Sequence, residues 1–547
     1  MATRKKKPRK PRKPHAPAHT GGSGHANAGG GAGAGGAHAG GGKKTVVRVR
    51  MYRQGLGDCH LITFDPDGSP VHVLVDCGSL GATTTGVKLD DVAKDIRDTT
   101  NKHLHLLIAT HEHHDHVSAF KAGSHFDEIS VDRVWLAWTE NPKDPLAQSL
   151  AKNKNDIGKA LAAAAAAKGA GGAGGAAAES RRGISGLMSL FGGAAGGGPL
   201  AAGSFSESVN LAMEYVRTKK GAQVEYLNPG GTAREEAWLP GFRVYVLGPP
   251  RDKTKLYDLG GHDSAELYGL IGGLGAAADY ASVGASFAEY LDRRGDSEAA
   301  AQFEKQLPFD PRFRVEIPEP AAEKRFGGAY YDPAAAWRRI DGDWLDSAEQ
   351  LALQLDSATN NTSLVLAFER IADGKVVLFP ADAQQGNWLS WHDPALKLAR
   401  AKAGGGTEPM TAADLLKRTV FYKVGHHSSH NATAKGKGLE LMEQTSELTA
   451  FIPVDRAVAL TRNPPDSWQM PARPLYRKLL EHTQGRVVRS DLGWAADSKS
   501  AAKHAVEQAF DGMATAAEWA TWAKAQKAAE TSGSVKVSPL YVEYRLS

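Results

Sequence analysis

Residues 104–109 read Leu-His-Leu-Leu-Ile-Ala, and the run is apolar except for His105. A short, apolar run of this kind is typical of a strand that is buried on both faces. Such a strand requires an internal sheet with further layers of structure on either side. The chain therefore has to place this segment at the centre of a layered fold.

Further strands are predicted by other short apolar or alternating runs, and helices by apolar residues at helical spacing. The predicted strands are residues 46–51, 59–64, 71–75, 104–109, 131–138, 242–247, 363–368, 376–379, 420–424 and 450–453. The predicted helices are residues 206–218, 279–293, 348–355 and 474–483, with one more that carries Val87, Leu89, Val92 and Ile96. Strands that alternate with helices indicate an α/β fold.

Two segments have a composition that does not suit a packed core. Residues 1–44 hold ten Lys or Arg and no acidic residue, and Gly, Ala and His dominate beyond the basic run. Such a segment cannot bury enough apolar surface to offset its ordering entropy, so we expect a disordered basic tail. Residues 161–203 are rich in Ala and Gly, with one apolar island at 184–191, and predict a mobile stretch. The remaining chain, residues 45–547, is expected to form one domain.

Charge and cysteine content narrow the classes of function. Of the net charge of +5, residues 1–44 contribute +10 and the rest of the chain −5. Clustered Lys and Arg favour non-specific nucleic-acid binding, whereas the acidic body argues against a broad nucleic-acid groove. Cys59 and Cys77 are too few for a Cys-based zinc finger, and they predict reduced, buried thiols in a cytoplasmic protein. The sequence predicts neither a membrane span nor a secretory signal.

The residues with the most reactive side chains directly follow the predicted strand 104–109. Residues 111–116 read His-Glu-His-His-Asp-His, and zinc accepts imidazole nitrogen and carboxylate oxygen as ligands. In an extended turn, His111 and His113 can converge on one ion. Asp115 and His116 then face a second ion where the chain enters the next helix. The alternative is a solvated His-rich loop, but the position at a strand end favours metal binding.

The pattern His-x-His-x-Asp-His after a buried strand resembles the metal motif of the metallo-β-lactamase superfamily. Residues 55–59, 73–78, 378–383 and 424–429 are similar to further segments of that superfamily in order and placement. Residues 246–250 and 360–366 are similar to one subgroup, the hydrolase domain of bacterial DNA-uptake channel proteins and the choline-phosphate esterases. The resemblance covers residues 46–140 and 242–495. It implies a four-layer αββα sandwich, interrupted here by a large insertion at about residues 141–346.

The resemblance implies seven candidate residues around two divalent ions, with Zn²⁺ favoured and Mn²⁺ as the alternative. They are His111, His113, Asp115, His116, Asp382, His426 and His427. The first two would hold one ion, the next two the other ion, and the second aspartate would bridge both. One member of the final histidine pair would complete the second ion, and the other would contact the leaving group. Both members of that pair and Asp115 are therefore candidate catalytic residues.

Other positions are assigned by the same resemblance or left open. Asp76 would orient a ligand histidine from behind, as outer carboxylates do. Lys423 is either a core-edge lysine or a contact for an anionic substrate, and Asn361 is a second candidate substrate contact. Many members place a further lone histidine ligand before the bridging aspartate, but here that interval offers only His125 and His262. Water or substrate would then complete the first ion.

Two ions of this kind lower the pKa of water and stabilise developing negative charge. The resemblance therefore implies a dinuclear metal-dependent hydrolase, and it favours phosphodiester substrates, either nucleic acid or a small phosphodiester. Carboxylic esters, lactones and thioesters are the alternative substrates. The alternative of a different class is a non-catalytic metal-binding scaffold or a nucleic-acid-binding protein.

Overall fold

The computed structural model describes residues 46–66, 68–166, 176–192, 206–258, 343–402, 404–462, 467–495 and 507–547. These residues form strands and helices in alternation, so the predicted α/β class is confirmed. The strands are β1 (Val46–Tyr52), β2 (Cys59–Asp65), β3 (Val71–Cys77), β4 (His103–Leu104), β5 (Leu106–Ala109), β6 (Ser130–Val131), β7 (Arg133–Ala137), β8 (Gln223–Leu227), β9 (Gly231–Thr232), β10 (Phe242–Gly248), β11 (Val365–Arg370), β12 (Val376–Phe379), β13 (Leu398–Ala401), β14 (Thr407–Met410), β15 (Thr419–Lys423), β16 (Thr449–Ile452), β17 (Val487–Arg489), β18 (Gly493–Trp494), β19 (Val535–Val537) and β20 (Tyr541–Leu546).

The described part of the chain also contains twelve α-helices. They are α1 (Leu89–Thr99), α2 (His114–Val117), α3 (Pro145–Ala166), α4 (Ala176–Met188), α5 (Glu207–Arg217), α6 (Lys253–Leu256), α7 (Asp343–Asn361), α8 (Gln385–Ser390), α9 (Ala412–Leu416), α10 (Arg456–Leu460), α11 (Arg473–His482) and α12 (Ala516–Thr531). The predicted helix at 279–293 lies outside the described residues, as does the predicted tail. No helix among the described residues is both long and apolar enough to cross a membrane.

Two large sheets form the centre of the fold. The first has eight strands in the order β19-β20-β1-β2-β3-β5-β7-β8, and the second has seven in the order β10-β11-β12-β15-β16-β17-β18. Both sheets combine antiparallel hairpins with parallel strands. In the first sheet β3, β5, β7 and β8 are parallel neighbours, and in the second β12, β15, β16 and β17 are parallel neighbours.

The two sheets share one buried core, and the alternation of side chains shows how. In β5, Leu106 and Ile108 belong to a cluster that also contains Val377 and Phe379 of β12 in the second sheet. Leu107, between Leu106 and Ile108, points to the opposite face of the sheet and joins a different cluster there. Strand β5 is therefore buried on both faces, as its composition predicts.

Helices cover the outer face of each sheet. Against the first sheet, α1 and α5 bury apolar residues such as Val92 and Met213. Against the second, α7 and α11 bury residues such as Leu355 and Leu479. Helices on both outer faces protect the parallel strands from solvent, which is the condition for such strands to be stable.

The structure corrects two details of the predicted organisation. The segment 104–109 is not one strand, because it breaks at His105, its single polar side chain, into β4 and β5. The island 184–191 lies in the stretch expected to be mobile. There the residues Ile184, Leu187, Met188, Leu190 and Phe191 are instead buried in the core that they share with the second sheet. Burial of these apolar side chains stabilises the island, although the sequence around it is rich in Ala and Gly.

Candidate metal centre

Strand β3 fixes the start of the histidine-rich loop through Asp76. Asp76 has a positive φ of 56° near the end of the strand. Its Oδ1 accepts a hydrogen bond from the backbone N–H of Thr110 at 2.8 Å, and its Oδ2 accepts one from Thr110 Oγ1 at 2.7 Å. Because both bonds end on the residue that follows β5, they hold the loop at the point where it leaves the sheet.

The same carboxylate orients His116, on the short helix α2. The Nδ1 of His116 lies 2.8 Å from Asp76 Oδ2, and its Nε2 faces Asp382 Oδ2 at 3.1 Å. Burial lowers the pKa of His116, but the charges of Asp382, Asp58 and Asp115 outweigh it and raise the pKa well above its usual value. Asp76 therefore holds the His116 ring on the side turned away from Asp382.

His111 and His113 converge on each other from one side of the loop. His111 Nε2 lies 3.0 Å from His113 Nδ1, and both rings are buried. Burial and the neighbouring histidines hold the pKa of His111 well below its usual range, and burial lowers the pKa of His113 to about 4. Both imidazoles are therefore neutral at neutral pH, the form in which histidine binds a metal ion.

The opposite side of the centre comes from the second sheet. Asp382 follows β12, His426 and His427 follow β15, and these strands are parallel neighbours. Their carboxyl ends therefore meet at one edge of the sheet. Asp382 Oδ1 accepts a hydrogen bond from the backbone N–H of His426 at 2.8 Å. His427 Nε2 lies 2.8 Å from Asp115 Oδ2, so the two sheets meet through this pair.

The structure distinguishes the two histidines of the pair. His427 is buried, and its Nδ1 donates to the backbone oxygen of Pro453 at 2.6 Å while its Nε2 faces Asp115. His426 is half-buried, and its Nδ1 lies 2.7 Å from Ser429 Oγ and 3.2 Å from Gln384 Nε2. Burial lowers the pKa of His426 to about 4. Only His427 is therefore placed with the aspartates and His116.

Lys423 is buried at the end of β15 and its amino group faces carboxylates. Its Nζ donates to Asp382 Oδ1 at 2.9 Å and to the backbone oxygen of Ala381 at 2.8 Å, and it forms an ion pair with Asp58. Burial alone would lower the pKa of Lys423. The charges of Asp382 and Asp58 outweigh this effect, and the pKa lies above its usual value. Of the two roles left open by the sequence, this geometry favours a structural lysine that fixes Asp382.

Asn361, the other candidate substrate contact, is also held by protein atoms. Its Nδ2 donates to the backbone oxygens of Leu256 and Asp258 at 3.1 and 3.2 Å. Its Oδ1 accepts from the backbone N–H groups of Gln384 and Asn387, both at 3.2 Å. Asn361 therefore ties α6, α7 and α8 together beside the centre.

Two residues of helix α7 face the centre and were not identified from the sequence. Asp356 Oδ1 lies 3.7 Å from His113 Nε2, and Asn360, one turn later, lies 3.4 Å from His426 Nε2. Burial, with the charges of Asp115 and Asp382, raises the pKa of Asp356 to about 8. The predicted helix ended at residue 355, so neither residue stood on a recognisable helix face.

Of the two histidines considered as further ligands, His125 gives no such contact. His125 lies against Arg97 and Glu128, with its Nδ1 at 2.9 Å from Arg97 Nη1 and 3.3 Å from Glu128 Oε1. It is therefore held by a surface ion-pair network. His262 lies outside the described residues.

Four of the predicted ligands form one compact group. Asp115, His116, Asp382 and His427 are buried, and each offers a ligand atom within 4.8 Å of the others. Such a group could hold a metal ion. Buried polar atoms are nearly always paired, yet Asp115 Oδ1 has no hydrogen-bond partner among the described residues. The free carboxylate oxygen and the mixed nitrogen and oxygen donors both fit a bound cation.

A scan against models of known protein families finds no match, and a search of curated proteins finds none either. The interpretation of the centre therefore depends on its own geometry and on the sequence motifs.

Proposed function

We propose that this protein is a dinuclear metal-dependent hydrolase of the metallo-β-lactamase superfamily. The observation that carries the proposal is the buried group Asp115, His116, Asp382 and His427, assembled from the ends of both sheets. Two sheets with a shared core and helices outside them support the αββα sandwich of that superfamily. In this proposal the insertion at about residues 141–346 is an addition to the sandwich.

The ligands divide between two ions according to the contacts of their atoms. His111 Nε2 and His113 Nδ1 would hold the first ion, because these atoms face each other at 3.0 Å. Asp115, His116 and His427 would hold the second. The Oδ2 of Asp382 faces His116 and is the candidate bridge between the ions. Zn²⁺ suits this set of donors, and Mn²⁺ is the alternative.

When bound, two such ions would supply a water of lowered pKa and positive charge for the transition state. The protein's own residues then have separate tasks. Lys423 holds Asp382, and Asp76 holds His116. His426 is the candidate proton donor, because it is the half-buried member of the pair and stands outside the group formed by Asp115, His116, Asp382 and His427. A proton on its ring would pass to the leaving oxygen.

Phosphodiesters, in nucleic acid or in a small molecule, are the proposed substrates. The resemblance to phosphodiesterases supports this class. Carboxylic esters, lactones and thioesters are the second choice. The buried thiols Cys59 and Cys77 are in keeping with the reducing cytoplasm as the place of action.

The test is a hydrolysis screen of the full-length protein loaded with Zn²⁺ or Mn²⁺. Substrates would include bis-p-nitrophenyl phosphate, single-stranded DNA, RNA, cyclic dinucleotides and simple esters, with elemental analysis of the same samples. We expect about two ions per chain and turnover of at least one phosphodiester. Bound metal with no hydrolysis of any substrate would favour the scaffold alternative, and a protein that binds no metal would contradict the whole proposal.

If nucleic acid is the substrate, the basic tail should contribute to its binding. Deletion of residues 1–44, which carry ten basic and no acidic residues, should leave turnover of bis-p-nitrophenyl phosphate unchanged. The same deletion should weaken nucleic-acid binding and flatten its dependence on salt. Loss of small-substrate turnover on truncation would show that the tail belongs to the catalytic domain.

A further inference from the structure

The histidines of residues 111–116 differ in the partner of the ring nitrogen that is turned away from the other candidate ligands. Behind His116 stands Asp76, whose Oδ2 lies 2.8 Å from Nδ1, the ring nitrogen turned away from the other ligands. A histidine ligand commonly donates its outer N–H to a carboxylate, which fixes both the tautomer and the ring orientation. Of the two candidate ligands of the first ion, His111 has its outer nitrogen, Nδ1, 3.1 Å from Thr110 Oγ1, so the outer nitrogen of His113 is the one still to be accounted for.

Helix α7 places a carboxylate behind His113. The inner nitrogen, Nδ1, faces His111, whereas the outer nitrogen, Nε2, lies 3.7 Å from Asp356 Oδ1. His113 Nε2 and Asp356 Oδ1 are both buried, and neither atom has a hydrogen-bond partner among the described residues. Buried polar atoms seldom stay unpaired, and an approach of about 1 Å would make this contact a hydrogen bond.

The surroundings hold Asp356 and His113 in this relation. Asn360, one turn further along α7, donates from Nδ2 to the second carboxylate oxygen of Asp356 at 3.2 Å. On another side, Phe191 packs edge-to-face on the His113 ring, with centroids 4.9 Å apart. Phe191 belongs to the buried island 184–191 of the insertion. The histidine is thus clamped between two elements that lie outside the metal motif.

We propose that Asp356 is a positioning residue that accepts the Nε2–H of His113 and so directs Nδ1 toward the first metal ion. The proposal rests on the proposed dinuclear centre. It gives α7 and the insertion a defined task, which is to set the affinity of the first ion. Asp76 has the matching task for the second ion.

The experiment is a metal titration and needs no substrate. Apo protein, full length, is titrated with Zn²⁺ in competition with a chromophoric chelator, which yields two dissociation constants. Asp356→Leu should weaken the first site 10- to 100-fold, roughly the loss seen for outer-shell partners. Asp356→Asn keeps an acceptor oxygen and should stay within about tenfold of wild type. Ser357→Ala, on the next residue of the same helix, is the control and should change neither constant.

A second background identifies which site is affected. In His111→Ala protein only the second ion should bind, so Asp356→Leu should have no further effect there, whereas Asp76→Asn should still weaken binding. An effect of Asp356→Leu in that background would overturn the assignment. Equal and complete loss of the first ion in Asp356→Asn and Asp356→Leu would indicate a direct ligand and also overturn it.

The outcomes separate this inference from the proposed function. Wild-type protein that binds two ions, with unchanged constants in both Asp356 variants, would overturn the positioning role alone. Wild-type protein that binds fewer than two ions would overturn the dinuclear proposal itself. Circular dichroism of each variant verifies folding, and Asp356→Asn carries the test if Asp356→Leu does not fold.

Discussion

The two sheets contribute to the candidate centre in different ways. The first sheet supplies its ligands within one loop, residues 111–116, directly after β5. The second sheet supplies Asp382 and His427 from separate strand ends, 45 residues apart in the chain. One contribution is a local motif, and the other exists only because β12 and β15 are parallel neighbours. The comparison shows that a compact centre can combine a sequence-encoded half with a topology-encoded half.

The first prediction compares one aspartate from each half. Asp115→Ala should remove the second ion, whereas Asp382→Ala should weaken both ions, because Asp382 Oδ2 faces His116 and is the proposed bridge to the first ion. Each change should lower kcat/KM by about 10³-fold or more, several kcal/mol of barrier. Turnover and metal content of both variants provide the measurement.

His430→Ala is the control for that comparison, because His430 is exposed and lies beyond the strand end that carries His426 and His427. It should keep both ions and its activity. A fully active Asp115→Ala protein would show that the local motif has no catalytic role. A His430→Ala protein that binds both ions but is inactive would show that the catalytic role at the end of β15 belongs to His430.

The second prediction divides the histidine pair of the second sheet. His427→Ala should lose the second ion, because His427 Nε2 faces Asp115 at 2.8 Å. His426→Ala should keep two ions yet lose about 10²- to 10⁴-fold in kcat, the usual contribution of a general acid. Elemental analysis beside kinetics separates the two results. Reversal of the two phenotypes would exchange the assigned roles.

The third prediction concerns the lysine that joins the halves. Lys423 pairs with Asp58, just before β2 of the first sheet, and with Asp382, which follows β12 of the second, and all three side chains are buried. Lys423→Met would leave carboxylates without their buried partner and should lower the free energy of unfolding by about 3–5 kcal/mol. Urea denaturation of metal-free protein is the measurement.

An exposed pair provides the matched control for the lysine. Lys375 pairs with Glu447, and both side chains are partly exposed. Lys375→Met should therefore cost no more than about 1 kcal/mol. Equal effects of the two substitutions would mean that the buried pair does not link the sheets energetically.

The smallest predicted effect lies at the other end of β3, away from Asp76. Burial and the nearby His105 and Arg48 lower the pKa of His72 to about 4. The unfolded chain then binds more protons than the folded one between about pH 6.5 and pH 4. Stability contributed by neutral His72 is therefore complete above this window and is lost as the pH falls through it.

His72→Gln should reduce that acid sensitivity by a small amount. The melting temperature of the variant should fall less than that of wild type between pH 7 and pH 4.5. An unchanged slope in His72→Gln protein would show that acid lability of the first sheet has another origin.

Sequence patterns identified the elements whose neighbours in the chain decide their structure. The predicted strand at 376–379 coincides with β12, because Lys375 and Pro380 flank a purely apolar run. The residues 111–116 were recognised for the same reason, since metal-binding side chains stand next to each other. Local order of this kind does not depend on the rest of the fold.

The parts that were missed depend on distant contacts. Helix α7 was predicted to end at residue 355, because the polar residues after it interrupt the apolar pattern of a surface helix. In the structure, Asp356 and Asn360 face the centre, where they lie near His113 and His426. A helix face directed at a site looks, from its sequence, like the end of a helix.

The pairing of β1 with β20 also affects how the chain is made. Arg50 of β1 bonds to Glu543 of β20, which follows it by 493 residues. At roughly 5–20 residues per second, a ribosome needs about 25 to 100 s to supply that partner. During translation β1 therefore presents an open edge, the kind of surface that recruits other strands. Growth conditions that slow elongation should increase aggregation of the nascent protein before they alter any property of the finished one.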